Sequence, residues 1–263
     1  MNKLKQKKLF LLDMDGTLYL DNDLFEGTTD FLKQVKEMGG RYLFLTNNSS
    51  KGIDKYIEKM ASLGIETTED DFLTSTNATV VHLKKMGYKK IYAFGTQSFK
   101  NQLKSAGLNI TDEREEGIDC LCMGFDTELT FKKLEDACIL LRDDIPYIAT
   151  NPDWVCPTWY GSVPDCGSIS QIICTATGKL PLFIGKPQPA MVELALERTG
   201  FKKEEAVVIG DRLYTDIACG VNAGISSIFV LSGEGTLEDL EKSEVKPEFV
   251  CDNIKQVYGI LKG

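Results

Sequence analysis

Two aspartates placed directly after a short apolar run constrain this chain more than any other feature of its sequence. The run at residues 9–12 is followed by Asp13-Met14-Asp15-Gly16-Thr17, which predicts a buried strand ending in a glycine turn. In an open α/β sheet, ligands bind outside the carboxyl ends of the strands. Side chains two positions apart on a strand point the same way, so Asp13 and Asp15 are expected to face one site. The alternative is an ordinary Asp-Gly turn whose carboxylates only cap the next segment.

The composition is that of a globular chain without a broad basic surface. Its 263 residues are 43% hydrophobic, which suits one large domain or two modest ones. A formal net charge of −9 argues against extensive nucleic-acid or anionic-membrane binding, because both need a cationic face. The apolar runs are too short for a membrane span, and the lysine-rich start leads into the first strand without a signal-peptide core. We therefore expect a cytoplasmic protein.

The distribution of cysteine and histidine limits the chemistry further. The eight cysteines lie in apolar segments without a CxxC pair, and His82 is the single histidine. Neither a zinc framework nor a disulfide framework fits this pattern. His82 occupies an amphipathic helical stretch, where a surface position is expected. Acid–base catalysis is therefore expected from carboxylates.

Alternating apolar runs and amphipathic stretches predict an α/β fold with parallel strands and helical crossovers. Helices are expected at residues 28–38 and 53–63, before strands at 41–45 and 71–74. The alternation restarts near residue 78 and again after 178. This predicts a core in two parts, 1–77 and 182–263, with a smaller α/β domain inserted at 78–181. Within it we expect a proline-containing loop at 151–167 and a helix at 168–177, and in the second core part a helix at 215–222.

Three further segments place polar side chains after predicted strands or at helix starts. Thr46-Asn47-Asn48-Ser49-Ser50 offers a hydroxyl and backbone N–H groups to an anion, with ordinary N-capping as the alternative. Gly185-Lys186-Pro187-Gln188-Pro189 brings a charge able to reach a phosphate oxygen, unless Lys186 is only a solvated linker lysine. Gly210-Asp211-Arg212-Leu213-Tyr214-Thr215-Asp216 places two acids near one strand tip, or supplies capping aspartates. Together the segments favour phosphoryl transfer.

The motifs DMDGT, TNNSS, GKPQP and GDRLYTD, in this order, resemble the four motifs of the haloacid dehalogenase superfamily. The stretches at 150–153 and 164–168 resemble the large α/β cap of its NagD-like, 4-nitrophenylphosphatase-type subfamily. The resemblance implies a Rossmann-like parallel-sheet core with an inserted cap. It also implies a Mg²⁺-dependent phosphatase that hydrolyses phosphomonoesters of small metabolites, such as sugar phosphates or nucleotide monophosphates.

The resemblance assigns roles to individual residues. It implies that Asp13 is the nucleophile that forms an aspartyl-phosphate and that Asp15 is the acid–base partner. Mg²⁺ would be held by the Asp13 carboxylate, the Asp15 backbone carbonyl and the Asp211 side chain. Lys186 would offset negative charge, with Asp216 orienting it or a water. The predicted phosphate-binding residues are Thr46, Asn47 and Asn48. Tyr214 stands where many relatives have a short polar or acidic residue.

The loop at 151–168 carries Trp154, Trp159, Tyr160, Asp153 and Asp165, a mixture suited to contacting a polar leaving group. Asp165 is the leading candidate for that contact, with helix capping as the competing explanation. Two alternatives to hydrolysis remain open, namely a phosphotransferase or phosphomutase with the same Asp13 chemistry, and a ligand-binding module without turnover. A dehalogenase fits less well, because it needs no Mg²⁺ ligands. A homodimer is also left open.

Overall fold

The computed structural model describes residues 3–158 and 160–263, with strands and helices alternating along the chain. Its strands are, in chain order, β1 (Leu9–Leu12), β2 (Tyr19–Leu20), β3 (Asp23–Leu24), β4 (Arg41–Thr46), β5 (Phe72–Thr74), β6 (Ile91–Phe94), β7 (Ile110–Thr111), β8 (Cys120–Met123), β9 (Tyr147–Ala149), β10 (Val155–Thr158), β11 (Gly161–Pro164), β12 (Leu182–Phe183), β13 (Ala206–Gly210), β14 (Ser226–Val230) and β15 (Phe249–Cys251).

The α-helices are, in chain order, α1 (Thr28–Glu37), α2 (Ile53–Ser62), α3 (Ser75–Met86), α4 (Gln97–Ser105), α5 (Phe131–Leu140), α6 (Cys166–Thr177), α7 (Ala190–Thr199), α8 (Ala218–Ala223), α9 (Leu237–Lys242) and α10 (Ile254–Lys262). A π-helical turn at Leu213–Ile217 precedes α8. No helix in the described part of the chain is both long and apolar enough to cross a membrane.

The chain divides into two compact units. Unit 1 contains the residues up to Thr46 together with Tyr56–Leu73 and Lys186–Gly263, and unit 2 contains Asn47–Lys55 and Thr74–Gly185. Unit 2 therefore begins four residues before the predicted boundary at 78 and ends four residues after 181. It also takes in a short segment that directly follows β4. As a result, the second motif is divided, with Thr46 in unit 1 and Asn47 in unit 2.

Unit 1 is built on a six-stranded sheet with the order β15-β14-β13-β1-β4-β5. The central strand β1 pairs in parallel with β13 and β4, with Leu9 opposite both Ala206 and Arg41. All four residues of β1 are buried, as expected for a parallel strand covered by helices on both faces. The predicted α/β class with a Rossmann-like parallel sheet is confirmed.

This strand order decides which loops can meet in unit 1. Parallel pairing brings the carboxyl ends of β4, β1 and β13 to the same edge of the sheet. The segments that follow are the two-aspartate turn at 13–17 and the segment 211–216, while Thr46 is the last residue of β4. Three of the polar motifs therefore begin at neighbouring strand ends.

Unit 2 contains a five-stranded sheet with the order β12-β9-β8-β6-β7, in which neighbouring strands pair in parallel. Its core includes Tyr92, Phe94, Met123, Ile169 and Ile173. Helix α6 begins at Cys166, two residues earlier than predicted, because the Asp165 carboxylate accepts the Cys166 N–H and caps the helix.

One local prediction was wrong, and another was confirmed only in part. The predicted loop at 151–167 contains an antiparallel hairpin, in which β10 pairs with β11 and Val155 lies opposite Pro164. The two prolines of the hairpin, Pro157 and Pro164, lie in a two-stranded ribbon, where a missing N–H is tolerated at an edge. The helix predicted at 215–222 is present as α8 from Ala218, and its first turn is π-helical instead, because the Ile217 N–H reaches back to the Arg212 carbonyl.

Candidate active site

Lys186 lies between two carboxylates of unit 1. Its Nζ is 2.6 Å from Asp13 Oδ1 and 2.6 Å from Asp216 Oδ1, and it donates a longer bond of 3.3 Å to the Leu45 carbonyl. The Lys186 side chain is only 3% exposed. Three segments far apart in sequence, namely the turn after β1, the segment before α7 and the π-helical turn, therefore meet at one buried ammonium group.

A third carboxylate joins this group. One oxygen from each of Asp13, Asp211 and Asp216 lies within 4.8 Å of the others. Asp211 Oδ2 accepts the Glu234 N–H at 2.7 Å, whereas its Oδ1 is buried and has no hydrogen-bond partner among the described residues. A buried acceptor without a donor is costly. Carboxylate oxygens are the ligands that Mg²⁺ prefers, so this cluster fits that cation.

The electrostatics of the cluster support the same conclusion. Burial, followed by the negative charge of Asp216, raises the pKa of Asp13 well above its ordinary value, although Lys186 opposes the shift. Burial and Asp216 likewise raise the pKa of Asp211 to about 6. Burial lowers the pKa of Lys186, but Asp13 and Asp216 outweigh it, so the net shift is upward. The protein's own groups thus leave negative charge incompletely compensated, and a bound cation would lower the pKa of both acids.

Glycines in two of the motifs allow these side chains to approach. Gly16 has a φ of +82°, and a Cβ on it would lie 2.5 Å from Asp211 Oδ2. A Cβ on Gly210 would lie 2.5 Å from the Asp216 carboxyl carbon. Any side chain at either position would therefore displace an acid of the cluster.

Asp15 has a different environment from Asp13. Its side chain is exposed, and its carboxylate accepts a hydrogen bond from the buried hydroxyl of Tyr19. The backbone of Asp15 forms an isolated bridge with Tyr19. An exposed, oriented carboxylate can exchange protons with solvent or a leaving group, which is what the predicted acid–base role requires.

The second motif contributes to both units. Thr46 is buried at the end of β4 in unit 1, with its Oγ1 3.4 Å from the Tyr56 hydroxyl. In unit 2, Asn47 Nδ2 donates to Asp153 Oδ1 at 3.2 Å. Asn48 Oδ1 accepts from both the N–H and the hydroxyl of Ser50, a local turn of the kind that the capping alternative describes. Binding of phosphate by these three residues stays a prediction.

Asp165 is buried in unit 2 and is 3% exposed. Its Oδ1 accepts from the Cys166 N–H at 2.5 Å and from Asn151 Nδ2 at 3.1 Å. This geometry matches the competing explanation of helix capping, and a contact with the leaving group stays a prediction. On the neighbouring hairpin segment, Trp154 and Tyr160 are 55% and 67% exposed, while Trp159 lies outside the described residues.

Two charged residues that lie beside the cluster in unit 1, Arg212 and Glu234, were not predicted as site residues from the sequence. Arg212 Nε is 2.8 Å from Glu234 Oε2, and the Arg212 side chain is only 17% exposed. Burial lowers the pKa of Arg212, but nearby charges, Asp13 first among them, raise it to a net upward shift. A signal was available for each, because Arg212 directly follows Asp211 and Glu234 lies between two glycines just after an apolar strand.

Two family models match the chain. One describes a haloacid dehalogenase-like hydrolase and matches residues 10–109, and the other describes a HAD-like hydrolase and matches residues 183–257. An acid sugar phosphatase of Staphylococcus aureus (strain USA300) is 33% identical over 260 residues, which cover 98% of this chain and 100% of that protein.

Solved structures of similar proteins match over nearly the whole chain. A 4-nitrophenylphosphatase from Thermotoga maritima is 44% identical with a TM-score of 0.93, and the match covers 98% of this chain and 99% of that one. A glycerol phosphate phosphatase from Mycobacterium tuberculosis, solved in complex with magnesium, is 29% identical with a TM-score of 0.90. That match covers 97% of this chain and 77% of the other.

Proposed function

This chain belongs to the haloacid dehalogenase-like hydrolase family, and we propose that it hydrolyses phosphomonoesters of small metabolites, with Mg²⁺, through an aspartyl-phosphate. It is a phosphoric monoester hydrolase of the NagD-like, 4-nitrophenylphosphatase type. The observation that carries the proposal is the buried pairing of Asp13 with Lys186 at 2.6 Å, beside an Asp211 oxygen to which no described residue donates.

In the first half of the proposed reaction, a carboxylate oxygen of Asp13 attacks the phosphorus of the ester. The bond from phosphorus to the leaving oxygen breaks, and Asp15 gives that oxygen a proton. The Asp13 carboxylate must be held in position to attack the phosphorus, and its ion pair with Lys186 holds it there. The exposed side chain of Asp15 leaves room for the leaving group.

In the second half, Asp15 takes a proton from water, and that water attacks the phosphorus of the aspartyl-phosphate. Inorganic phosphate leaves and the Asp13 carboxylate is regenerated. Lys186 stays charged throughout, because its two carboxylate partners raise its pKa above the ordinary value. Asp216 holds Lys186 in place by its 2.6 Å ion pair.

Mg²⁺ would be held by the Asp13 carboxylate, the Asp15 backbone carbonyl and Asp211 Oδ1, and it would offset the repulsion between an anionic nucleophile and an anionic ester. The residues present suit this role, because the Asp211 oxygen is already buried and receives no hydrogen bond within the described part of the chain. Asp211 Oδ2 stays with the Glu234 N–H, so one oxygen of this carboxylate is committed to the protein and one is available.

We propose sugar and polyol phosphates as the substrate class. One relative is named an acid sugar phosphatase and another a glycerol phosphate phosphatase, and sugars and glycerol are both leaving groups rich in hydroxyls. Thr46, Asn47 and Asn48 are the proposed phosphate-binding residues, and Asp165 is the proposed contact for the leaving group, besides its capping of α6.

The test is phosphate release from 4-nitrophenyl phosphate and a panel of sugar, polyol, nucleotide and short-acid phosphates, with Mg²⁺ and with excess chelator. We expect release only with Mg²⁺, and sugar or polyol phosphates at the top of the ranking. Asp13→Asn and Asp15→Asn are each expected to lower kcat by roughly 10³-fold or more. The control Asp30→Asn changes an exposed acid of α1 by the same chemistry.

Near-native turnover by purified Asp13→Asn would refute the covalent mechanism. If the phosphoryl group were transferred to an added sugar hydroxyl in preference to water, phosphotransfer rather than hydrolysis would be the activity. If no member of the panel released or transferred phosphate, a binding module without turnover would be the better description.

A further inference from the structure

The loop that follows β14 in unit 1 contacts two of the motif segments although it belongs to none of the four motifs. We call residues 232–235 the clasp loop. Its Ser232 hydroxyl donates to the Gly16 carbonyl at 2.8 Å. Its Glu234 N–H donates to Asp211 Oδ2 at 2.7 Å, and its Gly235 N–H donates to the Asp211 carbonyl at 3.1 Å. The clasp loop therefore joins the turn after β1 to the segment after β13.

The fit between the clasp loop and Asp211 is close. A Cβ on Gly233 would lie 2.5 Å from the Asp211 carboxyl carbon, and a Cβ on Gly235 would lie 2.5 Å from the Asp211 carbonyl oxygen. Both distances are too short for a side chain to be accommodated without a shift of Asp211. The two glycines therefore allow backbone N–H groups to reach an acid that a longer residue would push away.

The consequence for Asp211 is a fixed carboxylate orientation. Its Oδ2 is held by the Glu234 N–H, and its Oδ1 is buried without a donor among the described residues. Rotation of the carboxylate away from this orientation would break the 2.7 Å bond. The clasp loop thus keeps one oxygen of Asp211 engaged and leaves the other available within the acidic cluster.

The side chain of Glu234 fastens this loop to the segment that carries Asp211. Its Oε2 is 2.8 Å from Arg212 Nε, and its Oε1 is 3.4 Å from the Tyr214 hydroxyl. The Arg212 side chain is only 17% exposed, and its charge acts on Asp13. Without the Glu234 carboxylate, a largely buried positive charge close to the acidic cluster would lose its partner.

We propose that Glu234 is a positioning residue for the Mg²⁺ site. It anchors the N–H that orients Asp211, and it neutralises the positive charge of Arg212, which would otherwise repel a cation. The inference rests on the proposed function, since it concerns the cation that the acidic cluster binds. It also gives Tyr214 a role, because its hydroxyl is the second contact of the Glu234 carboxylate.

Groups that orient a metal ligand typically change metal affinity by about 10–100-fold when they are replaced. Glu234→Gln keeps the size of the side chain and removes its charge. We expect the variant to bind Mg²⁺ roughly tenfold more weakly or worse. At saturating Mg²⁺, its kcat should stay within about threefold of wild type, because Glu234 does not touch the reacting atoms. A general loss of structure would instead lower kcat at every Mg²⁺ concentration.

The experiment is calorimetric titration of MgCl₂ into the metal-free protein, combined with the Mg²⁺ dependence of 4-nitrophenyl phosphate hydrolysis. The matched control is Glu238→Gln, which makes the same change of charge at an exposed glutamate paired with Lys242 in α9. We expect the control to titrate like wild type. Thermal unfolding without metal verifies that both variants are folded.

Glu234→Gln that binds Mg²⁺ within twofold of wild type would overturn the inference and leave the proposed function intact. An equal loss of affinity in Glu238→Gln would overturn it too, since net charge rather than position would then explain the effect. Wild-type protein that releases phosphate equally well in chelator would refute the proposed Mg²⁺ requirement itself, and the inference with it. Ser232→Ala is a second variant, expected to weaken Mg²⁺ binding through the lost bond to Gly16.

Discussion

Replacement of Lys186 by methionine is expected to destabilise unit 1 as well as abolish catalysis. The substitution keeps most of the side-chain volume and removes the ammonium group. In the structure that group is 2.6 Å from Asp13 Oδ1 and 2.6 Å from Asp216 Oδ1, and it is only 3% exposed. Lys186→Met therefore leaves two carboxylates, and Asp211 near them, without their cationic partner.

The size of the effect follows from these distances. At an effective dielectric constant of about 20, each pair at 2.6 Å is attractive by about 6 kcal/mol before desolvation is counted. Much of this attraction is offset by the cost of burying the charges, and removal of one partner of a buried pair typically costs about 3–5 kcal/mol. We expect a loss of that size in metal-free protein at neutral pH. The double variant Lys186→Met/Asp216→Asn is expected to recover part of it.

The loss should also depend on pH. Without Lys186, protonation of Asp13 relieves the uncompensated charge, and burial already raises the pKa of this acid. The folded variant therefore gains protons as the pH falls. The difference in unfolding free energy between the variant and wild type should therefore shrink as the pH falls.

The assay is urea unfolding in chelator, followed by circular dichroism and by tryptophan fluorescence. Both tryptophans, at positions 154 and 159, fall in the sequence of unit 2, so fluorescence serves as an internal control. Circular dichroism reports the helices of both units. A Lys186→Met protein whose unit 1 transition stays within about 1 kcal/mol of wild type would refute the reasoning, because the ion pairs would then contribute almost nothing.

Two further predictions concern a pair of glycines and the acidic cluster. Gly167→Ala should destabilise unit 2 by about 1–3 kcal/mol, since the new Cβ would lie 2.7 Å from the Pro152 carbonyl carbon. Gly259→Ala should instead stabilise unit 1 by about 0.5–1 kcal/mol, because this exposed helical position has no described atom within 4 Å of the new Cβ. Urea unfolding of both variants tests these opposite effects. In metal-free protein, burial and Asp216 raise the pKa of Asp211 to about 6, so the folded state holds a proton that the unfolded state releases near pH 4. The free energy of unfolding is therefore expected to fall as the pH rises through about 6. Mg²⁺ should bind more weakly below that pH, because the proton on Asp211 competes with the cation. Calorimetric titrations that give equal Mg²⁺ affinities at about pH 5 and pH 7 would contradict this competition.

The parts of the site that could be predicted from the sequence are those in which polar residues directly follow an apolar run. Asp13 and Asp211 are such cases, because the strands β1 and β13 are buried on both faces and end where the acids begin. Lys186 could be named from its motif. The ion pair between Lys186 and Asp13 could not be predicted, because it joins residues 173 positions apart and depends on the order of strands in the sheet.

Glu234 and the hairpin β10–β11 show why the rest was not predicted. The contact of Glu234 with Asp211 is made by a backbone N–H, and the residue type does not indicate such a contact. In the hairpin, Pro157 and Pro164 argue against a strand prediction, although they form regular antiparallel pairs with Ser162 and Val155. In both cases the function of a residue depends on pairing that local patterns do not encode.

The position of β1 in the middle of its sheet has a consequence for biosynthesis. One neighbour, β4, follows it closely in sequence, but the other, β13, lies beyond the whole of unit 2, with Leu9 opposite Ala206. At translation rates of about 5–20 residues per second, roughly 10–40 s pass before that partner has been made. During this interval one side of a completely apolar strand has no partner. The nascent chain is therefore most exposed to aggregation while unit 2 is being synthesised, and a ribosome-bound fragment ending before residue 206 should depend most on chaperones.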